Sequence, residues 1–170
     1  MELYLLRHAI AIDRGTESYL GDADANRPLT DEGIRKMTEA ARGMQRLALS
    51  FDLILSSPLP RAWETARIVA SAVGNENRLV ECPELAPEAP LGGVIDLLRS
   101  HGKKESLLLV GHEPGLSRLV VHLLHAGSSE CLEFKKGGLA KMRLGFPHGQ
   151  PQGLLEWLLT PRILRTICRQ

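Results

Sequence analysis

The chain is poor in cysteine, in net charge and in long apolar runs, and each shortage excludes a class of protein. Three cysteines, Cys82, Cys131 and Cys168, lie at wide spacings among 170 residues. No Cys-x-x-Cys pair occurs, so neither a zinc site nor a disulfide framework is indicated. Inert thiols in a reducing compartment are the expectation. The formal net charge is only +1, which gives bulk electrostatics no hold on nucleic acid or on an anionic membrane. No run reaches the length of a membrane span, and the amino terminus lacks a basic stretch followed by a long apolar core. The expectation is a cytoplasmic protein with no nucleic-acid and no membrane partner. Internal repeats and low-complexity linkers are missing too. At 44% hydrophobic and 24% charged, the remainder reads as a globular chain. Its size favours one domain over 1–170.

Short apolar runs alternate with segments of helical period. Thr30 is placed to cap a helix whose apolar residues Ile34, Met37, Ala41, Met44 and Ala48 recur three and four apart. That pattern makes the methionines core packing rather than a cofactor box. A second helix opens near Arg61 and buries Ala62, Thr65, Ala66, Val69 and Val73. Val94, Ile95, Leu97 and Leu98 mark a third, and Leu119, Val120, Leu123 and Leu124 a fourth. Residues 78–81 read as a short strand. Cys131 to Phe134 and Leu139 to Leu144 flank Gly137-Gly138 and predict a hairpin. Leu154 to Leu159 is another strand, with a short helix after Pro161. This alternation predicts an α/β fold: a three-layer α/β/α sandwich, with a mostly parallel central sheet and helices on both faces. The polar stretch Ala11 to Asn26 is expected to be a mobile loop near the site mouth. The tail from Trp157 to Arg165 is apolar and basic together. Packing on the sheet edge is expected there, with a docking surface as the alternative.

Three of the apolar runs end alike. Leu3-Tyr4-Leu5-Leu6 stops at Arg7-His8. The run 51–55 passes through Ser56-Ser57-Pro58-Leu59-Pro60 to Arg61, and the run 107–110 stops at Gly111-His112. Ligands of alternating β/α chains collect outside the carboxyl ends of the parallel strands, so Arg7, His8, Arg61 and His112 should converge. Two guanidiniums and two imidazoles without paired carboxylates repel one another, and a structural cluster would be neutralised by acids. An incoming anion answers that imbalance, and the planar arginine fork matches phosphate oxygens. The convergence therefore reads as a phosphoryl pocket.

Leu6-Arg7-His8, the segment Ser57-Pro58-Leu59-Pro60-Arg61-Ala62-Trp63-Glu64-Thr65-Ala66, and Leu109-Val110-Gly111-His112-Glu113-Pro114 resemble the three signature blocks of the histidine phosphatase (phosphoglycerate mutase-like) superfamily. Arg27-Pro28-Leu29-Thr30-Asp31-Glu32-Gly33 adds a fourth block. The short chain, the Arg-Pro-Leu-Thr segment and Gly-His-Glu-Pro resemble the SixA-type phosphohistidine phosphatase branch. The resemblance implies His8 as nucleophile, with Arg7, Arg61 and His112 holding the phosphoryl oxygens. Ser57 is either a further phosphate donor or a turn-stabilising serine.

An imidazole attacks phosphorus only when neutral. His8 should therefore keep one nitrogen free while the other donates to the backbone. Surrounding cations would lower its pKa. The transition state spreads charge over three equatorial oxygens, and each fixed donor there is worth about 3 kcal/mol of barrier. With the positive charge supplied by side chains, and no clustered carboxylates to hold Mg²⁺, the reading expects no metal and no cofactor. His101, His122, His125 and His148 fall outside the motifs. His122 and His125 stand three apart but lack a third ligand in register, so packing is preferred over a metal pair.

The chain departs from the family after its Arg-His pair. Ala9-Ile10-Ala11-Ile12-Asp13-Arg14 replaces the usual Gly and the Asn of the sugar-phosphate branches, with Arg14 near the Asn position. Those branches also carry a carboxylate general acid between the second and third blocks. Glu84 and Glu88 are the candidates here, with solvated loop charges as the plainer account. Expelling an alkoxide, whose conjugate acid has a pKa of about 15.7, demands a proton. Expelling an imidazole, with a pKa of about 6.5, demands far less. A phosphorylated protein histidine, as on a phosphotransfer domain, is thus the expected substrate. A small-molecule phosphomonoesterase and a non-catalytic phosphate-binding regulatory module stand as alternatives. The second is disfavoured because the Arg7, His8, Arg61, His112 quartet is intact.

Overall fold

The computed structural model describes residues 1–13, 24–126 and 132–169; Arg14 and Cys131 lie outside the described residues. The strands are β1 (Glu2–Arg7), β2 (Leu53–Ser56), β3 (Leu79–Glu81), β4 (Ser106–Gly111), β5 (Leu139–Gly145) and β6 (Gln152–Leu159). The helices are α1 (Asp31–Arg46), α2 (Pro60–Val73), α3 (Leu91–Ser100), α4 (Gly115–Leu123) and α5 (Pro161–Cys168). One six-stranded sheet runs in the order β3-β2-β4-β1-β5-β6. β1 to β4 pair parallel with one another, whereas β5 pairs antiparallel with both β1 and β6. The α/β sandwich expected from the alternation is the observed architecture.

Alternating residues of the central strands feed two cores. Tyr4, Leu6, Ile54, Leu108 and Val110 face Met37, Ala41 and Met44 of α1, Ala62, Ala66 and Val69 of α2, and Leu164 of α5. Leu3, Leu5, Leu55, Leu107 and Leu109 face Val94, Ile95 and Leu98 of α3, with Leu116, Leu119, Val120 and Leu123 of α4. Strands covered on both faces read as unbroken apolar runs, which is why these three stood out in the sequence. Each such side chain contributes about 2 kcal/mol on burial. That packing, rather than helix propensity, holds the strand ends in place.

Local chemistry sets the helix ends. Thr30 Oγ1 accepts from the Gly33 N–H at 2.9 Å and caps α1. Pro60 occupies the first position of α2, where no N–H is needed, and Gly74 closes that helix with φ of 71°. α1 ends at Arg46, so Ala48 does not extend its apolar stripe. Ala48 is exposed and turns the chain with φ of 54°.

The hairpin expected across Gly137-Gly138 does not form. Residues 132–134 are not a strand, and β5 instead fills the place between β1 and β6. The reason is that the backbone of Phe134 is bonded to side chains. Its N–H donates to Glu113 Oε1 at 2.7 Å, and its carbonyl accepts from Arg7 Nη1 at 2.5 Å. The tail packs, as expected: Trp157 lies 6.0 Å from Tyr4 between ring centroids, and Leu164 is fully buried.

Candidate active site

The parallel strands finish level. Arg7 stands opposite Gly111, and Ser56 opposite Val110. The ladder continues one step further: the His8 N–H donates to Gly111 O and the Ser57 N–H to Val110 O, both at 3.0 Å. Residues immediately past the strands therefore land side by side. The His8 and His112 rings are 5.0 Å apart between centroids. Arg61 arrives from the first turn of α2. All four residues singled out in the sequence line one cleft of about 410 Å³.

Burial decides the state of the imidazoles. His8 Nδ1 lies 2.7 Å from the Ala9 carbonyl oxygen. A carbonyl only accepts, so Nδ1 carries the proton and Nε2 keeps its lone pair. Desolvation pushes the His8 pKa down to about 3; the Ala9 bond opposes this, and Arg61, Arg7 and Lys136 add to it. Desolvation likewise takes His112 down to about 3, followed by the effects of His8 and Arg61. The neutral imidazole expected at His8 is thus present, but loss of water outweighs the neighbouring cations as its cause.

Ser57 takes the turn-stabilising role of the two readings given for it, and it also meets His112. Its Oγ accepts from the Leu59 N–H at 3.3 Å, bracing the turn, and lies 2.9 Å from His112 Nε2, fixing that ring. Thr65, read only as a core residue, ties α2 to the segment after β1. Its hydroxyl donates to Arg61 O at 2.6 Å and accepts from the Ala9 N–H at 3.0 Å. It therefore spaces Arg61 from His8.

The cleft also holds charges that the sequence reading did not place: Asp13, Asp24, Arg27, Glu113 and Lys136. Asp24 meets Arg61 twice, with its carbonyl on Nη1 at 2.6 Å and its carboxylate on Nη2 at 3.1 Å. The same carboxylate reaches Arg27 Nη2 at 2.5 Å. The paired acid thought missing from the quartet is therefore supplied, from within the Ala11 to Asn26 stretch. Glu113 works through Phe134, as described, and also accepts from Ser117 Oγ at 2.5 Å. The chain Glu113–Phe134–Arg7 aims the first guanidinium. Arg7 Nε and His112 Nδ1 are buried with no hydrogen-bond partner among the described residues. Signals for some of these residues were present: Arg27 and Glu113 both sit inside recognised blocks. Nothing in the local pattern marks Asp24 or Lys136.

Glu84 and Glu88 are not brought into the cleft. The Glu84 carboxylate accepts from Cys82 Sγ at 3.1 Å and faces a neighbouring groove, and Glu88 is exposed. His122 is on α4, but His125 lies beyond its end with φ of 53°, so the two do not form a helical pair. Among the described residues, no group of three or more histidine, cysteine or acidic side chains is arranged to hold a metal ion.

Level strand ends, two neutral imidazoles and a set of arginine forks define an α/β protein built to receive a tetrahedral oxyanion. A family model described as histidine phosphatase superfamily, branch 1, matches residues 3–86. An uncharacterized protein of Picosynechococcus sp. strain PCC 7002 is 37% identical over 148 residues, covering 85% of this chain and 86% of its own. The chain belongs to the histidine phosphatase superfamily. In fold it is similar to the protein histidine phosphatase SixA complexed with tungstate, at a TM-score of 0.81 and 24% identity over 95% of this chain and 98% of that one. It is also similar to the α-ribazole phosphatase of Shigella flexneri, at a TM-score of 0.71 and 20% identity over 95% and 97% of the two chains.

Proposed function

We propose that this chain is a SixA-type phosphohistidine protein phosphatase acting through a covalent intermediate on His8. His8 Nε2 attacks phosphorus, forming a new P–N bond as the P–N bond to the substrate imidazole breaks. The leaving imidazole takes a proton from solvent. Water then attacks phosphorus on His8, releasing inorganic phosphate and returning the neutral ring. Arg7, Arg61 and His112 hold the equatorial oxygens as charge builds on them. The negative charge of the bound phosphoryl group raises the pKa of His112, favouring a donated proton at the moment it is needed.

One observation carries the choice of substrate: among the described residues, no carboxylate of the cleft is placed as a dedicated acid. Glu84 and Glu88 lie outside it, Asp24 is engaged with Arg61 and Arg27, Glu113 with Ser117 and Phe134, and Asp13 stands solvent-exposed at the rim beside Lys136. A leaving imidazole tolerates that arrangement and a leaving alkoxide does not. The tungstate complex of SixA supports an oxyanion site in this fold. The deciding experiment compares turnover of a phosphohistidine-bearing carrier protein with that of sugar phosphates, chelator present. Faster turnover of sugar phosphates, abolished by Glu84→Gln or Glu88→Gln, would overturn the reading in favour of a phosphomonoesterase.

A further inference from the structure

A second depression adjoins the cleft. It lies between α1 and α5 and shares Lys136 with the phosphoryl site. Its floor is apolar, with Ala9, Met37 and Ala40 buried beneath it and Pro161 on its wall. Its volume, about 100 Å³, suits one apolar side chain. Lys36, Lys136 and Arg165 stand around it, and no acidic residue among the described ones lines it.

The acids paired with two of these cations do not line the groove. Glu32 pairs with Lys36 at 2.5 Å and is 56% exposed; Asp13 approaches Lys136 at 3.8 Å and is 82% exposed. Arg165 makes no close ion pair among the described residues, and its charge acts on Glu32 and Glu39 only at longer range. Exposed pairs of this sort are worth little and are readily exchanged. Three cations around an apolar hole therefore present a net positive, partly apolar surface.

The groove is joined to the reaction site by backbone. The Gly137 N–H donates to both Arg7 O and His8 O at 3.1 Å, and Gly137 holds φ of 80° between Met37 and Pro161. The segment that shapes the groove wall is thus the segment that anchors the nucleophile. Whatever lies in the groove has a fixed position relative to phosphorus.

We propose that this groove docks an acidic segment of the phosphorylated partner protein, with one apolar side chain in the hole and carboxylates on Lys36, Lys136 and Arg165. The proposal rests on the phosphohistidine phosphatase reading and names the flank of its substrate. It explains how the cleft selects a protein: the electrostatic rim steers encounter, and the hole fixes register.

Two synthetic peptides test it. Each carries one phosphohistidine and one leucine; in the first the flanking charges are Asp and Glu, in the second they are Lys. Free phosphohistidine serves as the reference substrate. The expected result is a kcat/KM at least tenfold higher for the acidic peptide, shrinking as salt is raised. Lys36→Glu/Arg165→Glu removes that preference and leaves free phosphohistidine unchanged. Lys36→Gln/Arg165→Gln, the milder pair, weakens it in a protein of unaltered melting temperature. Equal turnover of both peptides by the wild type overturns the proposal. So does a proportional loss on peptide and free phosphohistidine in the variants. A preference for small bisphosphates over both peptides, lost in the same variants, overturns it too and assigns the groove to a second anionic group on a small molecule. If the wild type turns over no phosphohistidine form, the phosphatase reading fails by itself. Fluorescence anisotropy with the unphosphorylated acidic peptide then decides the groove. Binding lost in Lys36→Glu/Arg165→Glu supports it, and no binding by the wild type overturns it.

Discussion

In the parallel half of the sheet, β1, β2 and β4 end level, and the side chains that leave those ends are the ones proposed to react. In the antiparallel half, β5 and β6 contribute no side chain to the cleft. The segment leading into β5 contributes mainly backbone: Phe134 O to Arg7, Gly138 O to the Arg7 N–H, and the Gly137 N–H to Arg7 and His8 carbonyls. The comparison teaches a division of labour. Parallel strands bring distant residues to one edge because each crossover resets the chain to the same end. An antiparallel hairpin cannot do that, but the turn that precedes it has free N–H and C=O groups with which to pin what the first half delivers.

The sharpest way to break this comparison is to remove a group from the parallel half. His8→Ala should lower turnover of a phosphohistidine substrate by roughly 10⁴-fold or more, as for loss of other covalent nucleophiles. Rapid-quench labelling should find no phosphoenzyme. Arg61→Ala and Arg7→Ala should each cost roughly 10² to 10³ in kcat, and Arg61→Lys should recover little, since an ammonium cannot reproduce the fork. The antiparallel half is tested by Gly137→Ala, which forces a side chain into the left-handed region at φ of 80°. The expectation is about 1–2 kcal/mol of lost stability and roughly a tenfold fall in kcat, since the bonds to Arg7 and His8 loosen. Unchanged kcat in a folded Gly137→Ala would show that the turn merely adjoins the site.

Smaller effects sharpen the picture. Asp24→Asn removes a negative charge 3.1 Å from Arg61. Inorganic phosphate or tungstate should then inhibit about fivefold more tightly, on the order of 1 kcal/mol in a partly screened site. The pH dependence of stability has a definite sign. Both imidazoles stay neutral in the folded protein down to about 3, against an ordinary histidine value of 6.5. Between those values the unfolded chain binds more protons. Stability is therefore full above about 6.5 and declines as pH falls towards 3. Melting temperatures from pH 8 to pH 4 should trace that decline, and His8→Ala/His112→Ala should flatten it. At neutral pH this term vanishes, which makes it the smallest of the set.

The quartet and the fold were legible because both are written locally. Strand runs buried on two faces are continuous in sequence, and a strand-end residue is positioned by where its run stops. Thr30 and Pro60 likewise mark helix starts by chemistry confined to a few residues. The misplaced hairpin shows the limit. Phe134 and its neighbours have strand-like composition, but Glu113 and Arg7, far away in the chain, occupy the hydrogen-bonding groups a ladder would need. Asp24 was illegible for the same reason: a single acid in a polar stretch carries no periodicity, and its role exists only because Arg61 folds against it.

The amino-acid order by itself determined that three apolar runs would stop at an arginine, a serine turn and a histidine, and that helices would separate them. Periodicity and capping act over a few residues, so no knowledge of the packed chain was needed. The packed chain alone decided which acid neutralises Arg61, which carbonyl aims Arg7, and which cations ring the groove beside His8. Those are pairings between residues remote in sequence, and their energies depend on distance and exclusion of water, quantities that exist only once the core has closed.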